Sequence, residues 1–250
     1  MFWKKTVYLF LLCVLIGFLI NAASPKTSWE TISNSDGIIV SRRIHPGTDM
    51  QEMKGVGKIN VKLPKMIALL SDSNSMPYWI EGCIKSKLLK RNFTEDSFDM
   101  EINEYVQTLW GENELPWPFQ NRDYVLEAKL SFVPPAEGKK ESLIITSTAI
   151  RSDEVPKNEK LVRIEKMRVE FIISPTDDQD VLEMQFLVLL DPGGHIPTWL
   201  SDLVARHMPL KTFQKIRKLV EKPDYDRKIE KLVIHHMSEL SKKYNLSIPH

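Results

Sequence analysis

Residues 186–220 read FLVLLDPGGHIPTWLSDLVARHMPLKTFQKIRKLV. An apolar strand leads into the turn DPGG, and Pro197 then suits the first turn of a long helix. We expect Pro209 to kink or interrupt this helix, because an internal proline removes a backbone hydrogen bond. Apolar residues recur at three- and four-residue steps, which predicts one apolar face: Trp199, Leu200, Leu203, Val204, Phe213, Ile216 and Val220. The segment predicts a sheet covered by a helix.

The chain before this segment alternates apolar and polar residues from Ile38 to Asp191, which is typical of half-buried strands. Short turns between the strands favour an antiparallel meander, because parallel neighbours need long crossovers. A helix is predicted at 63–72 and a shorter helical turn around Trp79. The predicted strands are 38–45, 51–61, 84–93, 97–108, 122–133, 142–150, 160–174 and 180–191.

The later strands each have one apolar face and one polar face. In strand 122–133 the apolar parity begins at Tyr124, and Val125 falls on the opposite, polar parity. The apolar face must be covered, and the helix at 197–220 is the predicted cover. The predicted members of the apolar face in these three strands are Tyr124, Leu126, Ala128, Leu130, Phe132, Met167, Val169, Phe171, Ile173, Met184, Phe186, Val188 and Leu190.

The amino terminus predicts an exported protein. Residues 1–23 combine a positive leader, an apolar run from Thr6 to Ile20 and small residues for cleavage, as a secretory signal peptide does. Cys13 lies inside the apolar run, so lipoprotein processing is not expected. An uncleaved membrane anchor is the alternative, although this run is shorter than the roughly 20 residues of a membrane span. Export means the periplasm in a Gram-negative host and secretion otherwise.

Charge and cysteine content exclude several classes of protein. The net charge is +1, and cleavage after residue 23 would remove two lysines and leave it near −1. We therefore expect no nucleic-acid partner. Cys83 would be the remaining cysteine, so the fold needs a large core rather than an intramolecular disulfide. No linker or repeat divides the chain, which favours one domain. We also expect a monomer.

The sequence contains no recognisable catalytic constellation. The histidines form no metal-binding motif, and Cys83 has no histidine or acid at a catalytic spacing. We expect no metal, no cofactor and no enzymatic activity.

Several short motifs together resemble the START domain family of lipid-transfer modules. The two most specific are PWP with NRDYV, at 116–118 and 121–125, and DPGG with IPTWL, at 191–194 and 196–200. Trp29-Glu30, Asp36-Gly37-Ile38, Arg42-Arg43, Pro46-Gly47 and Trp79 precede them in the order the family shows. The resemblance covers residues 29–222.

This resemblance implies an α+β helix-grip fold, in which a curved antiparallel sheet wraps a long carboxy-terminal helix. It further implies a cavity for one lipid between the sheet and the helix. The expected role is non-enzymatic lipid binding and transfer, with a membrane surface as a transient partner. The candidate lipid-contacting residues are Trp79, Glu104, Arg122, Tyr124, Ala128, Phe132, Phe171, Phe186, Val188, Trp199, Leu203 and Phe213.

Glu104 and Arg122 are the polar candidates. Glu104 shares the parity of Val106, so it is either paired inside the cavity or solvated near the strand edge. In sterol-carrying relatives an acidic residue resembling Glu104 pairs with a base, and Ala128 stands at the position of that base. Arg122 is expected to anchor the start of its strand through hydrogen bonds, with ligand contact as the alternative.

Two further segments have open interpretations. The loop 134–140 lies where the family has its gate, and a plain solvated hairpin is the alternative. Residues 223–250 form an extension with a predicted helix at 224–243. A helix-grip cyclase or hydrolase using Glu104 and Arg122, or a lipid-sensing module that recruits a partner through this extension, are the alternatives to a carrier.

Overall fold

The computed structural model describes residues 27–92, 105–133, 142–178 and 180–221. Within these ranges ten strands form one sheet with three helices beside it. The helices are α1 (Leu63–Ser71), α2 (Met76–Trp79) and α3 (Thr198–Val220), and a 3-10 turn at Ser73–Ser75 joins the first two. The strands are β1 (Glu30–Ser35), β2 (Ile38–Ile44), β3 (Gln51–Asn60), β4 (Cys83–Arg91), β5 (Tyr105–Asn113), β6 (Arg122–Val133), β7 (Ser142–Ala149), β8 (Val162–Arg163), β9 (Lys166–Pro175) and β10 (Val181–Asp191).

The sheet is antiparallel along its whole path, in the order β1-β2-β3-β10-β9-β7-β6-β5-β4. The long pairing of β10 with β3 joins the first three strands to the rest. β8 lies off this path and pairs in parallel with the start of β6. The curved antiparallel sheet with its carboxy-terminal helix is the helix-grip fold, so the predicted fold class is confirmed.

The helix α3 packs on β2, β3 and α2. Phe213 is fully buried in this contact, because Gly55 and Gly57 of β3 leave room for its ring. Farther along the helix, the guanidinium of Arg217 donates hydrogen bonds to the carbonyl of Lys58 at 2.7 and 3.1 Å. These contacts hold the second half of α3 against the β3 side of the sheet.

The predicted apolar face is buried in β6, β9 and β10. Tyr124, Phe171, Ile173, Met184 and Phe186 are each at most 4 % exposed. The prediction for the opposite face of β6 is wrong at one position.

Val125 was expected on the polar face, yet it is fully buried. The segment between β7 and β9 covers this end of the strand. The amide of Ile150 donates to the carbonyl of Val125, and β8 pairs with Arg122 and Asp123. The face of β6 that was predicted to be polar is therefore covered at this end by the adjacent chain segment.

Several boundaries differ from the prediction. The strand β1 was not predicted, because its sequence ETISNS has a weak apolar alternation. It forms because Asp36 and Gly37 both have positive φ values, 55° and 67°, as a tight hairpin turn to β2 requires. The helix α3 continues through Pro209 without interruption, and the predicted strand 160–174 divides into β8 and β9.

Some predictions concern residues outside the described ranges. These are the predicted signal peptide at 1–23, residues 97–104 of the predicted strand 97–108, the loop 134–140 and the predicted helix at 224–243. Within the described part of the chain, no helix has both the length and the apolar character that a membrane span needs.

Candidate functional site

An open cleft of about 870 Å3 lies beside the first half of α3. The helix lines it with Leu200, Leu203 and Val204, which belong to the predicted apolar face, and with Met208. The opposite wall comes from residues that precede or begin β3, the loop that follows β5, and the DPGG turn. We call this space the outer cleft.

The outer cleft combines apolar walls with charged side chains at its edge. Asp202 is ion-paired with Arg42, and Glu81 with Lys215 at 2.8 Å, so two of its carboxylates are already neutralised within the protein. The charged side chains that line it are Asp49, Glu81, Glu114, Asp191, Asp202, Arg122 and Lys211. The cleft therefore offers an apolar floor together with groups that can face a polar headgroup.

A second, much smaller cavity of about 40 Å3 lies deeper, between the sheet and the helices α1 and α2. We call it the inner chamber. Half of the predicted lipid-contacting residues line it: Trp79, Tyr124, Ala128, Phe171, Phe186 and Val188. The structure thus brings these six side chains together around one internal space, although that space is small.

Three aromatic rings pack together beside the inner chamber. The rings of Phe171 and Phe186 stack at 4.7 Å, and Trp79 meets Phe171 edge-on at 5.9 Å. The indole of Trp79 is fixed because it donates a hydrogen bond to the hydroxyl of Ser75 at 2.9 Å. The larger free space consequently lies at the end of the sheet near the DPGG turn.

Tyr124 is held rigidly at the boundary of the inner chamber. Its hydroxyl donates to Oδ1 of Asn113 at 3.1 Å. Its ring covers Gly111, where a β-carbon would lie 2.5 Å from the ring. Burial raises the pKa of Tyr124 well above its ordinary value, so this phenol stays neutral and acts as a structural donor.

Arg122 and Leu203 line the outer cleft instead of the inner chamber. The guanidinium of Arg122 donates to the carbonyls of Pro192 at 3.2 Å and Gly193 at 3.1 Å, and to that of Gln120. These bonds are the strand anchor that the sequence predicted. Gly193 and Gly194 adopt positive φ values, which residues with a β-carbon adopt less readily. Arg122 therefore stabilises a turn that requires glycine at these two positions.

Four predicted residues are not placed in either space. Trp199 is 59 % exposed and packs edge-on against Phe119 at 6.5 Å, so the inward position expected from the stripe is wrong. Phe213 is buried against β3, away from both cavities. Glu104 and the side chain of Phe132 lie outside what the structure describes.

The apolar parity of β5 is opposite to the one predicted. Tyr105, Gln107 and Leu109 are buried, whereas Val106, which was grouped with Glu104, is only half-buried. The strand also continues past the predicted end at 108 to Asn113. Aromatic and aliphatic residues occur on both parities of EYVQTLW, so alternation alone did not distinguish the faces.

The sequence analysis also missed four polar residues of the inner chamber, Ser73, Gln107, Asn113 and Ser147, and the side chain of Met208. Met208 lines both cavities, as does Asn113. The register supplies the signal for two of them, since Gln107 and Ser147 are the cross-strand neighbours of Ala128 on its two sides. That register cannot be read without knowing which strands pair.

A buried ion pair supports the same end of the sheet. Arg163 forms two hydrogen bonds of 2.8 Å to the carboxylate of Asp123, and the indole of Trp110 adds a third at 3.1 Å. Burial alone would raise the pKa of Asp123, but these bonds outweigh it and hold the pKa below its usual value. The charge is therefore kept, and the pair fastens β8 to β6.

The described residues contain no group of histidine, cysteine, aspartate or glutamate side chains that is arranged to hold a metal ion. The arrangement can enclose an apolar ligand and hydrogen-bond its polar end. No protein-family model matches the chain.

Comparison with known proteins gives relatives of similar length. An uncharacterized protein of Pseudomonas aeruginosa is 25% identical over 194 residues, which are 78% of this chain and 87% of that protein. The phosphatidylcholine transfer protein of Rattus norvegicus is 23% identical over 186 residues, 74% of this chain and 80% of that protein.

A solved structure shares the architecture. The crystal structure of a STAR-related lipid transfer protein fragment from Xanthomonas axonopodis has a TM-score of 0.61 and 24% identity. The match covers 78% of this chain and 99% of that one. The chain therefore has the helix-grip fold of a STAR-related lipid transfer domain.

Proposed function

We propose that this protein is a START-type carrier that binds one lipid and moves it between membranes without catalysing a reaction. The observation that carries the proposal is the outer cleft under α3, in the fold of a lipid transfer domain. Its volume of about 870 Å3 is at the upper end of the range of roughly 300–1,000 Å3 for small-molecule sites.

The apolar walls of the cleft supply the binding energy in this proposal. Leu200, Val204 and Met208 would cover an acyl chain or ring system. Burial of apolar surface stabilises a complex by about 25 cal/mol for each Å2 removed from water, before the costs of association. The similarity to phosphatidylcholine transfer proteins supports a lipid as the ligand.

Exposed apolar residues beside the cleft support contact with a membrane. Trp117 is 92 % exposed and follows Pro116, which lines the cleft. Trp199 and Leu203 of α3 are 59 % and 44 % exposed, and Trp199 packs against Phe119 of the same loop. Indole rings favour the interface between lipid and water. We infer that this corner faces the membrane when lipid enters or leaves.

Arg122 supports a carrier in preference to an enzyme. Its guanidinium is engaged by three backbone carbonyls, and a group held in this way is a structural anchor. The proposed exported location rests on the signal peptide that the sequence predicts at 1–23, with a retained membrane anchor as the alternative. We propose that the protein acts as a monomer.

A vesicle assay tests the proposal. Transfer of a fluorescent phosphatidylcholine and a fluorescent sterol from donor to acceptor vesicles should be accelerated by the wild-type protein. Val204→Trp should fill the cleft and reduce transfer of whichever lipid is moved at least tenfold. Arg206→Trp on the exposed side of the same helix should leave transfer unchanged. Equal activity of the two variants would contradict the cleft as the binding site.

A further inference from the structure

Four aliphatic side chains form a row across the face of the sheet that points away from α3. The pairing register places Ile39 of β2 beside Val56 of β3, and Ile172 of β9 beside Ile144 of β7. Gln185 of β10 lies between the two pairs, opposite both Val56 and Ile172. We call the four aliphatic residues the aliphatic row.

The aliphatic row lies on the outer face of the sheet. Ile38 and Val40, the chain neighbours of Ile39, are fully buried in the core, and successive side chains of a strand point to opposite faces. Ile39 itself is 43 % exposed, and the other three members are half-buried. The solvated face of an antiparallel sheet normally carries polar side chains. A continuous aliphatic row on that face is therefore typical of a surface that another segment or molecule covers.

The row is a narrow strip between polar side chains. Asn34 of β1 and Ser131 of β6 continue it at its two ends, and Leu187 adds one aliphatic side chain next to Gln185. The flanking polar rows are about 14 Å apart, which is wide enough for one helix of 10–12 Å diameter. The residues two positions from its members along the strands are Gly37, Ser41, Lys54, Lys58, Glu170, Ser174, Ser142 and Thr146.

The helix α3 ends beside the strands that begin this row. The guanidinium of Arg217 donates hydrogen bonds to the carbonyl of Asp36 at 2.7 Å and to that of Lys58 at 2.7 Å. Asp36 lies three residues before Ile39, and Lys58 lies two residues after Val56. The chain that follows α3 therefore starts at the end of the sheet where β2 and β3 contribute to the row.

The chain after α3 is long enough to reach the outer face. Residues 222–250 lie outside the described ranges, and their sequence predicts an amphipathic helix at 224–243. Pro223 disfavours a helical conformation at the residue before it, so the chain can change direction there. Residues 221–228 span up to roughly 26 Å when extended. The route round the end of the sheet crosses two layer spacings, or about 20 Å.

The apolar side of the predicted helix matches the row in length and pattern. The row spans about 19 Å across five strands, and Ile229 to Leu240 span about 17 Å along a helix. His236 lies about 10 Å after Ile229, and Gln185 lies about 10 Å from Ile39. One polar residue thus falls at the same place in each, and an amide can hydrogen-bond an imidazole. The other members of this side of the helix are Leu232, Val233 and Met237.

We propose that residues 223–250 fold back over the outer face of the sheet, with the predicted helix lying along the aliphatic row. Its apolar side covers the four aliphatic side chains, and His236 lies at Gln185. The sheet is then held between two helices, α3 on the inner face and this one on the outer face. The arrangement does not depend on which lipid the outer cleft carries.

Limited proteolysis of the full-length protein tests this arrangement. Trypsin can cleave within 223–250 after Arg227, Lys228 and Lys231, and a docked helix slows this cleavage because the segment must first open. Ile144→Asp places an unpaired carboxylate under the helix and should raise the cleavage rate at least about tenfold. Thr148→Asp, on the same strand and the same face but outside the row, is the matched control and should be cleaved like the wild type.

A variant on the segment tests the contact from its other side. Leu240→Asp should raise the cleavage rate as Ile144→Asp does, because both substitutions disrupt one contact. The double variant should therefore be cleaved more slowly than the product of the two single increases predicts. Circular dichroism checks that each variant keeps its sheet. A fully multiplicative effect would show that the two residues act independently, which overturns the proposal.

The same variants identify any other occupant of the row. Light scattering should show that the wild type and Ile144→Asp have the same mass. A wild-type dimer that Ile144→Asp converts to a monomer would show that a second copy covers the row. Loss of vesicle binding in Ile144→Asp but not in Thr148→Asp would show that a membrane covers it. Rapid cleavage of the wild type within 223–250, unchanged in Ile144→Asp, would show that the segment lies elsewhere, and each of these three results overturns the proposal.

Discussion

Phe213 of α3 lies directly against the backbone of Gly55 in β3. A β-carbon at position 55 would be 3.0 Å from Cε2 of Phe213 and 3.0 Å from Cβ of Pro209. The helix is therefore seated on the strand with no side chain between them, and this contact places the first half of α3 beside the outer cleft.

Gly55→Ala should destabilise the protein, although alanine suits a strand better than glycine does. The added methyl group would overlap a fully buried ring, and overpacking typically costs about 1–3 kcal/mol. Urea unfolding monitored by circular dichroism measures this change. Phe213→Leu should relieve the overlap, so the double variant should lose less free energy of unfolding than the sum of the two single variants. Additive losses would contradict the contact.

Arg122→Lys should weaken the turn at Pro192 and Gly193. Lysine keeps the positive charge but lacks the planar fork that donates to several carbonyls at once. Loss of the hydrogen bonds from the buried guanidinium to these partly exposed carbonyls should lower the free energy of unfolding by about 1–3 kcal/mol. Arg206→Lys, at an exposed position on α3, is the control and should unfold like the wild type.

Asp123→Asn should destabilise the protein by about 3–5 kcal/mol at neutral pH, because it leaves Arg163 buried without its counter-charge. The effect should depend on pH. The pKa of Asp123 in the folded protein lies below its usual value of 3.8. Its contribution to stability is therefore complete above the unfolded-state pKa and is lost as the pH falls through the lower folded-state pKa.

Unfolding titrations of the wild type and Asp123→Asn between about pH 2 and pH 7 test this dependence. The difference between their free energies of unfolding should be constant down to about pH 5 and shrink below about pH 4. A difference that stays unchanged at low pH would show that the carboxylate is not the stabilising group.

The thiol of Cys83 should be unreactive in the folded protein. Burial raises its pKa to about 11, so the reactive thiolate is scarce at pH 8, and the side chain is 5 % exposed. In a Cys13→Ser background, Ellman's reagent should label no thiol in buffer and one thiol in concentrated urea. Prompt labelling of the native protein would show that Cys83 is accessible.

Trp117→Ala and Trp199→Ala should each reduce binding to phosphatidylcholine vesicles several-fold, because both indoles are exposed beside the cleft. Co-sedimentation with vesicles measures the bound fraction. Tyr78→Ala is the control, since Tyr78 is 71 % exposed on α2 and does not line either cavity. An equal loss in all three variants would contradict a specific membrane-facing corner.

Local patterns predicted most of the fold. The alternation in β6, β9 and β10 identified buried faces because these strands carry large apolar residues on one parity. The apolar residues that recur every three or four positions after DPGG identified α3. The turn before this helix needs two residues with positive φ, which the two glycines of DPGG supply. The strand anchor at Arg122 followed from its place in the family motif.

The position of the free volume could not be predicted in the same way. It depends on how closely α3 approaches Gly55, and on which strands lie beside Ala128. The parity of β5 was ambiguous because Val106 and Leu109 offer apolar side chains on both faces. Gln107 was therefore missed, although it is the neighbour of Ala128 across the sheet.

Native mass spectrometry of the full-length protein after exposure to membrane vesicles tests the central claim most directly. The account predicts a mass increase equal to one lipid molecule per protein, and loss of that increase in Val204→Trp but not in Arg206→Trp. A wild-type protein that remains free of lipid after exposure to phospholipid and sterol vesicles would contradict it.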